Sequence, residues 1–514
     1  MEYVIDRSLK EVVKGSGIVA FGRIFAMGIN FLSTVLIVRY FTQKEYGIYS
    51  LLIALLPFFV AFSTLGFHLG APRQISYFRG KNEEKVRRVI NSSLQISIVL
   101  AIIFSVVLSL SSNLLSNVVF HSTEISQPLK ILSIAIPFYV LVVIFGSIFR
   151  GFNRVDVKVY FLDILRAALF LSSLVFIIVF TLSFIELIYA YVLSFALTCL
   201  ALIFYTIRTP LPIKIEKKFA LCPSGRELVI FSLPLLVDVM LKMILMWGGT
   251  VILGYFKPLD FIGLYSGALL LTAYILFVLT STEAIYLPIA SQLFSKNLIK
   301  EMQRTYQVLT KWIFSAAFPT FLILFLFPDL VLNFLFGANY ISASLALRIL
   351  TLGFIFPVLL GLNTISLLVL GKTRLIMYIG LIGALVYIGL NIILIPPFGI
   401  EGAALASTFS YILVNLVSST KLYQFTKIHP FSKNYIKLIG NSFILMAVIY
   451  IVSSVIKMEF WMLPVLLILF LSAYFMLLFL TRSVDKEDID LLLALEKNMG
   501  VNAEIIKKIL RKFI

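Results

Sequence analysis

The chain has 514 residues, 61% of them hydrophobic and 13% charged, and its mean hydropathy is +1.04. That composition excludes a water-soluble globular domain. Apolar runs of about 20 residues recur along the chain, each long enough to span about 30 Å of hydrocarbon as a helix, and they lack the period-two alternation of a membrane barrel. The formal charge of +18 raises nucleic acid as a partner, but no DNA- or RNA-binding motif accompanies it, and none is expected to bind.

The opening stretch MEYVIDRSLKEVVKGSG is too charged for a cleaved signal peptide, so the first apolar run is expected to act as the insertion signal itself. Fourteen spans are expected, near 16–39, 46–70, 89–112, 129–149, 159–182, 184–207, 228–255, 262–290, 309–328, 344–370, 375–396, 400–420, 435–456 and 460–481. Basic residues follow every second span. Arg73, Arg79, Lys81, Lys85, Arg87 and Arg88 follow the second; Arg150, Arg154 and Lys158 the fourth; Arg208, Lys214, Lys217, Lys218 and Arg226 the sixth. Lys296, Lys300 and Arg304 follow the eighth, Lys372 and Arg374 the tenth, and Lys421, Lys427 and Lys433 the twelfth. The intervening loops carry almost only Lys44, Lys257 and Lys457. This alternation is what the positive-inside rule predicts for fourteen spans in the cell (cytoplasmic) membrane with both termini cytoplasmic, and it accounts for the net charge. Beyond the last span, 483–514 mixes charges and apolar residues at helical spacing, breaks at Gly500 and offers Asn502 as a cap. It reads as a pair of amphipathic helices on the cytoplasmic face or as a solvated tail. Cys199 and Cys222 suggest no disulfide framework, and His68, His121 and His429 are too scattered for a metal site.

The two halves echo one another. RYFTQKEYGIYSLLIA at 39–54 resembles GYFKPLDFIGLYSGALL at 254–270, with Gly47-Ile48-Tyr49-Ser50 answering Gly263-Leu264-Tyr265-Ser266. RGFNRVDV at 150–157 parallels LGKTRLIM at 370–377. The expected architecture is therefore all-α, with two parallel six-helix repeats around a central cavity and two extra helices. Its parts are an N-lobe over 1–208, a cytoplasmic linker over 209–227, a C-lobe over 228–426, the last two spans over 427–482, and the tail over 483–514.

Three segments carry a family resemblance: FGANYISASLALRIL (336–350), LVLGKTRLIMYIG (368–380) and LNIILIPPFGIEGAALASTFSYI (390–412). They resemble the polysaccharide-export branch of the multidrug/oligosaccharidyl-lipid/polysaccharide (MOP) flippase superfamily. The resemblance implies a Wzx-type flippase that moves a polyprenyl-(pyro)phosphate-linked oligosaccharide from the cytoplasmic to the outer leaflet by alternating access between two lobes. It implies a transporter rather than an enzyme, with no cofactor, coupled to H+, Na+ or membrane potential. Its partners would be the polyprenyl-linked substrate, membrane lipids and glycan-assembly enzymes, and it would act as a monomer. The glycine-rich KGSGIVAFG at 14–22 matches neither a Walker loop nor GxGxxG, which fits the absence of an ATP site.

Such a head group needs a wet cavity that is cationic where the phosphate sits. Arg23 in the first span has no acidic partner within helical reach, and Asn30 and Thr34 share its face; Arg23 is either the phosphate ligand or snorkels to the surface. Asp163 and Arg166, three apart in span five, are expected to form an intrahelical pair. Asp238 and Lys242 are four apart in span seven. They form a structural pair, or else Asp238 takes up a cation while Lys242 joins Arg23 and Asn30 on the head group. Laying Tyr40-Phe41 on Tyr255-Phe256 places Asp238 over Arg23. Glu283 in span eight is a second cation-coupling candidate, or lies in a solvated vestibule. Arg73, Arg79 and Arg154 either collect the head group at the inner mouth or only set orientation. A cation-coupled multidrug extruder is the nearest alternative, and Arg23 and Lys242 argue against its acidic pocket. A membrane-bound polymerase or glycosyltransferase would need acids on outer loops, where 113–128 offers only Glu124.

Overall fold

The computed structural model describes residues 22–209 and 223–455, together with Ser472 and Tyr474. All regular structure among the described residues is helical, the form in which a lipid-embedded backbone satisfies its own hydrogen bonds. In chain order come α1 (Gly22–Tyr40), α2 (Gln43–Thr64), α3 (Phe67–Phe78), α4 (Glu83–Leu114), α5 (Ser126–Ser133), α6 (Ala135–Gly151), α7 (Val155–Lys158), α8 (Arg166–Val179) and α9 (Phe184–Arg208). There follow α10 (Pro223–Phe256), α11 (Leu259–Ser295), α12 (Ile299–Leu326), α13 (Pro328–Phe336), α14 (Ser344–Leu360), α15 (Asn363–Val369), α16 (Thr373–Thr426) and α17 (Lys433–Val455).

Among the described residues eleven helices are long and apolar enough to cross a membrane, and the pair Thr123–Ser133 and Ala135–Gly151, bent by 43°, makes up to twelve. One of the eleven is two crossings. α16 has 54 residues, about 80 Å at 1.5 Å per residue, and it is broken at Gly399 (φ 60°, ψ −126°). A Cβ on Gly402 would fall on the carbonyl oxygen of Leu394, and one on Gly383 would meet Val414 Cγ2. Contacts between residues so placed about Gly399 are those of an antiparallel hairpin, whose arms answer the expected spans 375–396 and 400–420. The chain is thus a multi-pass membrane protein. The expected fourteenth span, 460–481, and the tail over 483–514 lie outside the described residues, apart from Ser472 and Tyr474. So do 1–21 and 210–222, most of the expected linker.

By contacts the chain divides into two compact units, one of residues 18–263 and the other containing 264–514. In the first, α10 packs against α2, α3 and α4. The approach is possible because the second span is broken between α2 and α3. Leu65 (φ 44°) and Gly66 (φ 76°) are left-handed, and Cβ atoms on Gly66 and Gly70 would strike Ser232 on α10. α3 packs on α6 in the same way, with Gly151 allowing contact with Ile75 at 2.8 Å from its would-be Cβ. The glycines of the sequence echo also meet. A Cβ on Gly47 would strike the backbone at Leu259, and one on Gly263 the backbone at Gln43. Residue 263 answers 47 and 259 answers 43 at the same spacing, so this contact is its own image under the repeat. In the second unit α14 packs on α12 and α16, and buried hydroxyls fasten backbone carbonyls. Tyr435 donates to Leu359 O (2.9 Å) and Thr408 to Ile349 O (2.7 Å), while Tyr265 bonds Ser407 (3.0 Å).

Candidate functional site: a cationic cluster around a π-helical turn

Span five is not one plain α-helix. α7 runs into a seven-residue π-helix, Val159–Leu165, before α8 begins. Such segments are rare and recur at functional sites. Here α1 lies against it at a glycine: a Cβ on Gly22 would sit 2.6 Å from Val159 Cγ1 and 3.3 Å from Ile164 Cδ1. The extra residue shifts the hydrogen-bond register. The Arg166 N–H donates to Phe161 O, five residues back. Leu162 O, the acceptor that N–H would have in an α-helix, takes instead the Nε of Arg166's own side chain at 3.3 Å. Arg166 Nη2 donates to Asn30 Oδ1 on α1 at 3.0 Å, and Asn30 Nδ2 donates to Ala26 O at 2.8 Å. One guanidinium therefore satisfies the π turn and ties it to the first span.

Further cations surround this link. Asp163, half-buried, stands in the field of Lys158, Arg23 and Arg166. Lys158 is in turn within reach of Asp163, Arg23 and Arg150. Arg150 is fixed by donating from Nη2 to His68 O at 2.6 Å. Gly146 lets α6 approach Lys158, with 3.4 Å between its would-be Cβ and that of the lysine. Arg23, Lys158 and Arg166 thus share the carboxylate of Asp163, and Arg150 adds its charge beside Arg23 and Lys158. Arg166 also lies 5.4 Å over the Phe195 ring, a cation–π contact. Phe195 stacks on Tyr139 at 4.3 Å and meets Tyr191 at 5.3 Å. A surplus of positive charge with guanidinium forks, set among aromatic rings in a poorly polar medium, is chemistry suited to a phosphate or pyrophosphate.

Of the residues the sequence offers for the head group, the structure brings Arg23, which is exposed, and Asn30 to this cluster. Lys242 is engaged elsewhere: it donates to Asp238 at 2.7 Å as an i,i+4 pair on α10, with 68% of its side chain exposed. Glu283 is half-buried on α11 and belongs to the other unit. The three loop arginines each have a local partner. Arg73 lies 4.8 Å over Phe231 and Arg79 5.3 Å over Phe152. Arg154 grips Asp156 at 3.0 Å and donates to Tyr205 Oη at 2.7 Å, and these contacts hold it protonated beyond an ordinary arginine. The expected Asp163–Arg166 pair is corrected: no ion pair joins them among the described residues, because the π turn changes their spacing and Arg166 is turned to Asn30 and Leu162. Arg150, Lys158 and Arg166 had been read as orientation or pairing charges. Gly146, Gly151 and Gly22, which bring α6 and α1 onto their neighbours, were the signal that could have gathered them.

Residues 12–294 match the family described as polysaccharide biosynthesis protein. The chain belongs to this family. Two curated archaeal relatives of this polysaccharide biosynthesis protein are each 28% identical to it. An uncharacterized membrane protein of Methanocaldococcus jannaschii matches over 290 residues, 53% of this chain and 55% of that one. A probable low-salt glycan biosynthesis flippase of Haloferax volcanii matches over 185 residues, 35% of this chain and 39% of that one. The chain spans about half the length, or less, of the curated relatives it matches. Among solved structures, the lipid II flippase MurJ in an inward closed conformation superposes with a TM-score of 0.67. It covers 89% of this chain and 97% of its own at 15% identity. An inward-facing multidrug-resistance MATE transporter of the MOP superfamily gives 0.66 over 79% and 98% of the two chains, at 12% identity. The fold is that of MOP superfamily transporters.

Proposed function

We propose that this polysaccharide biosynthesis protein is a flippase that carries a polyprenyl-(pyro)phosphate-linked oligosaccharide from the cytoplasmic to the outer leaflet by alternating access. The observation that carries the reading is the cluster in which Arg23, Lys158 and Arg166 act on one carboxylate, Asp163, with Arg150 beside Arg23 and Lys158. A lipid-linked sugar is anionic at its phosphate, and its head group must leave water while its tail stays in lipid. The cluster offers that phosphate several cations at once, with the Phe195, Tyr139 and Tyr191 rings packed beside Arg166. The family and the glycan-flippase relative support the same substrate class. In this reading both termini face the cytoplasm, the protein works as a monomer beside glycan-assembly enzymes, and an ion gradient or the membrane potential drives the return step.

Reconstitution with fluorescent lipid-linked oligosaccharides on dolichyl and undecaprenyl carriers tests it. Charge-assisted hydrogen bonds are worth about 1.5–3 kcal/mol, or roughly one to two powers of ten in affinity. Arg23→Ala and Arg166→Ala are therefore each expected to lower apparent substrate affinity by about 10- to 100-fold. Flipping at the wild-type rate in both variants overturns the phosphate assignment.

A further inference from the structure

Arg166 has two tasks that compete for one side chain. Its Nε serves the Leu162 carbonyl, which the π register has taken from the Arg166 amide, while its Nη2 holds Asn30 on α1. An anion arriving among Arg23, Arg150 and Lys158 competes for that same guanidinium. We propose that Arg166, besides binding the head group, couples that binding to the register of span five. With Arg166 drawn onto the phosphate, Leu162 O is left to its α-helical donor, the Arg166 N–H, and the segment Val159–Leu165 tightens from π to α. The same residues at 3.6 per turn gain about one residue's worth of winding, which turns everything N-terminal to them by about 100° against α8. Residues 155–158 move with it, Lys158 among them, and the Asn30 link between α1 and span five is released. Arg166 thus holds one register while it bonds Leu162 O and Asn30, and the other while it bonds the phosphate. This rests on the phosphate reading above.

The contact of Gly22 with Val159 reports the register, since 4.0 Å separates the would-be Gly22 Cβ from Val159 Cβ, a spacing a disulfide can bridge. In a chain whose Cys199 and Cys222 are replaced by serine, Gly22→Cys with Val159→Cys is expected to cross-link readily. Farnesyl pyrophosphate, used as the probe, is expected to lower the yield several-fold. Adding Arg166→Gln should weaken probe binding by about 10- to 100-fold, and at probe concentrations raised until intrinsic fluorescence shows saturation through Arg23, Arg150 and Lys158 the yield should no longer respond. Tyr160→Cys, at a position 49% exposed, gives a second readout through its maleimide labelling rate should the cysteine pair fold poorly. Probe that binds without changing either readout overturns the register coupling and leaves the phosphate site standing. Probe that fails to bind at all removes the phosphate reading and the coupling with it.

Discussion

A charge in lipid is tolerated when its neighbours are arranged for it, and the two intramembrane clusters of the first unit differ in that respect. Asp238 and Lys242 satisfy one another on a single helix turn at 2.7 Å, which is the geometry of a local pair. With Lys242 largely exposed, such a pair contributes about 0.2–1 kcal/mol. Asp238→Asn combined with Lys242→Ala is therefore expected to flip lipid-linked sugar within about threefold of wild type. A single change that abolishes flipping and is not rescued in the double variant would instead give the pair a part in transport. Asp163 and Arg166 had the same look in the sequence, three positions apart, yet they do not pair. The difference was not legible because the spacing of side chains on a helix holds only while the helix keeps 3.6 residues per turn. Arg150 and Lys158 were hidden for another reason. Their place just past a span explains them as orientation signals, and only the fold brings them beside Arg23.

At the scale of the elements, hydropathy and turn residues located most described spans to within a few residues, because burial in lipid is a property of composition; the helices of spans two and nine run eight to ten residues beyond the expected 46–70 and 309–328, to Phe78 and from Ile299. Two further departures lie where two backbones meet. The break at Leu65–Gly66 admits α10, and the π turn of span five lies where α1 crosses at Gly22. Neither has a signature in apolar periodicity, since the cause sits on another helix. Gly22→Val tests the second. The added methyls meet Val159 Cγ1 at a point with no space, and overpacking of this kind costs about 1–3 kcal/mol. A lowered thermal midpoint is expected in fluorescence-detected size-exclusion chromatography, with recovery when Val159→Ala makes room in the same chain. An unchanged midpoint in Gly22→Val would show that α1 is not held against the π turn.

For the molecule as a whole, the repeat read from the echo of residues 39–54 and 254–270 reappears as a physical contact in which Gly47 and Gly263 play matching parts. The membrane class, the helical architecture and the family were all legible before any coordinates. Of the cationic cluster, Arg23, Asn30, Asp163 and Arg166 stand out in the sequence as polar groups inside spans, and their juxtaposition does not. A cationic site also bears on the runner-up. An extruder of cationic drugs needs carboxylates where this chain gathers arginine and lysine, so efflux of ethidium from intact cells is expected to match cells lacking the protein. Efflux well above that level, without movement of lipid-linked sugar in vesicles, would move the assignment to drug export. The hairpin of α16 has a consequence of a different sort, for biogenesis. Between Arg374 and Lys421 the chain contains no basic residue, and its one acid is Glu401. The turn at Pro396-Pro397-Phe398-Gly399 carries no charge by which the insertion machinery could orient either arm alone. The direction of the hairpin in the bilayer is therefore decided by the lysines and arginines at its two open ends.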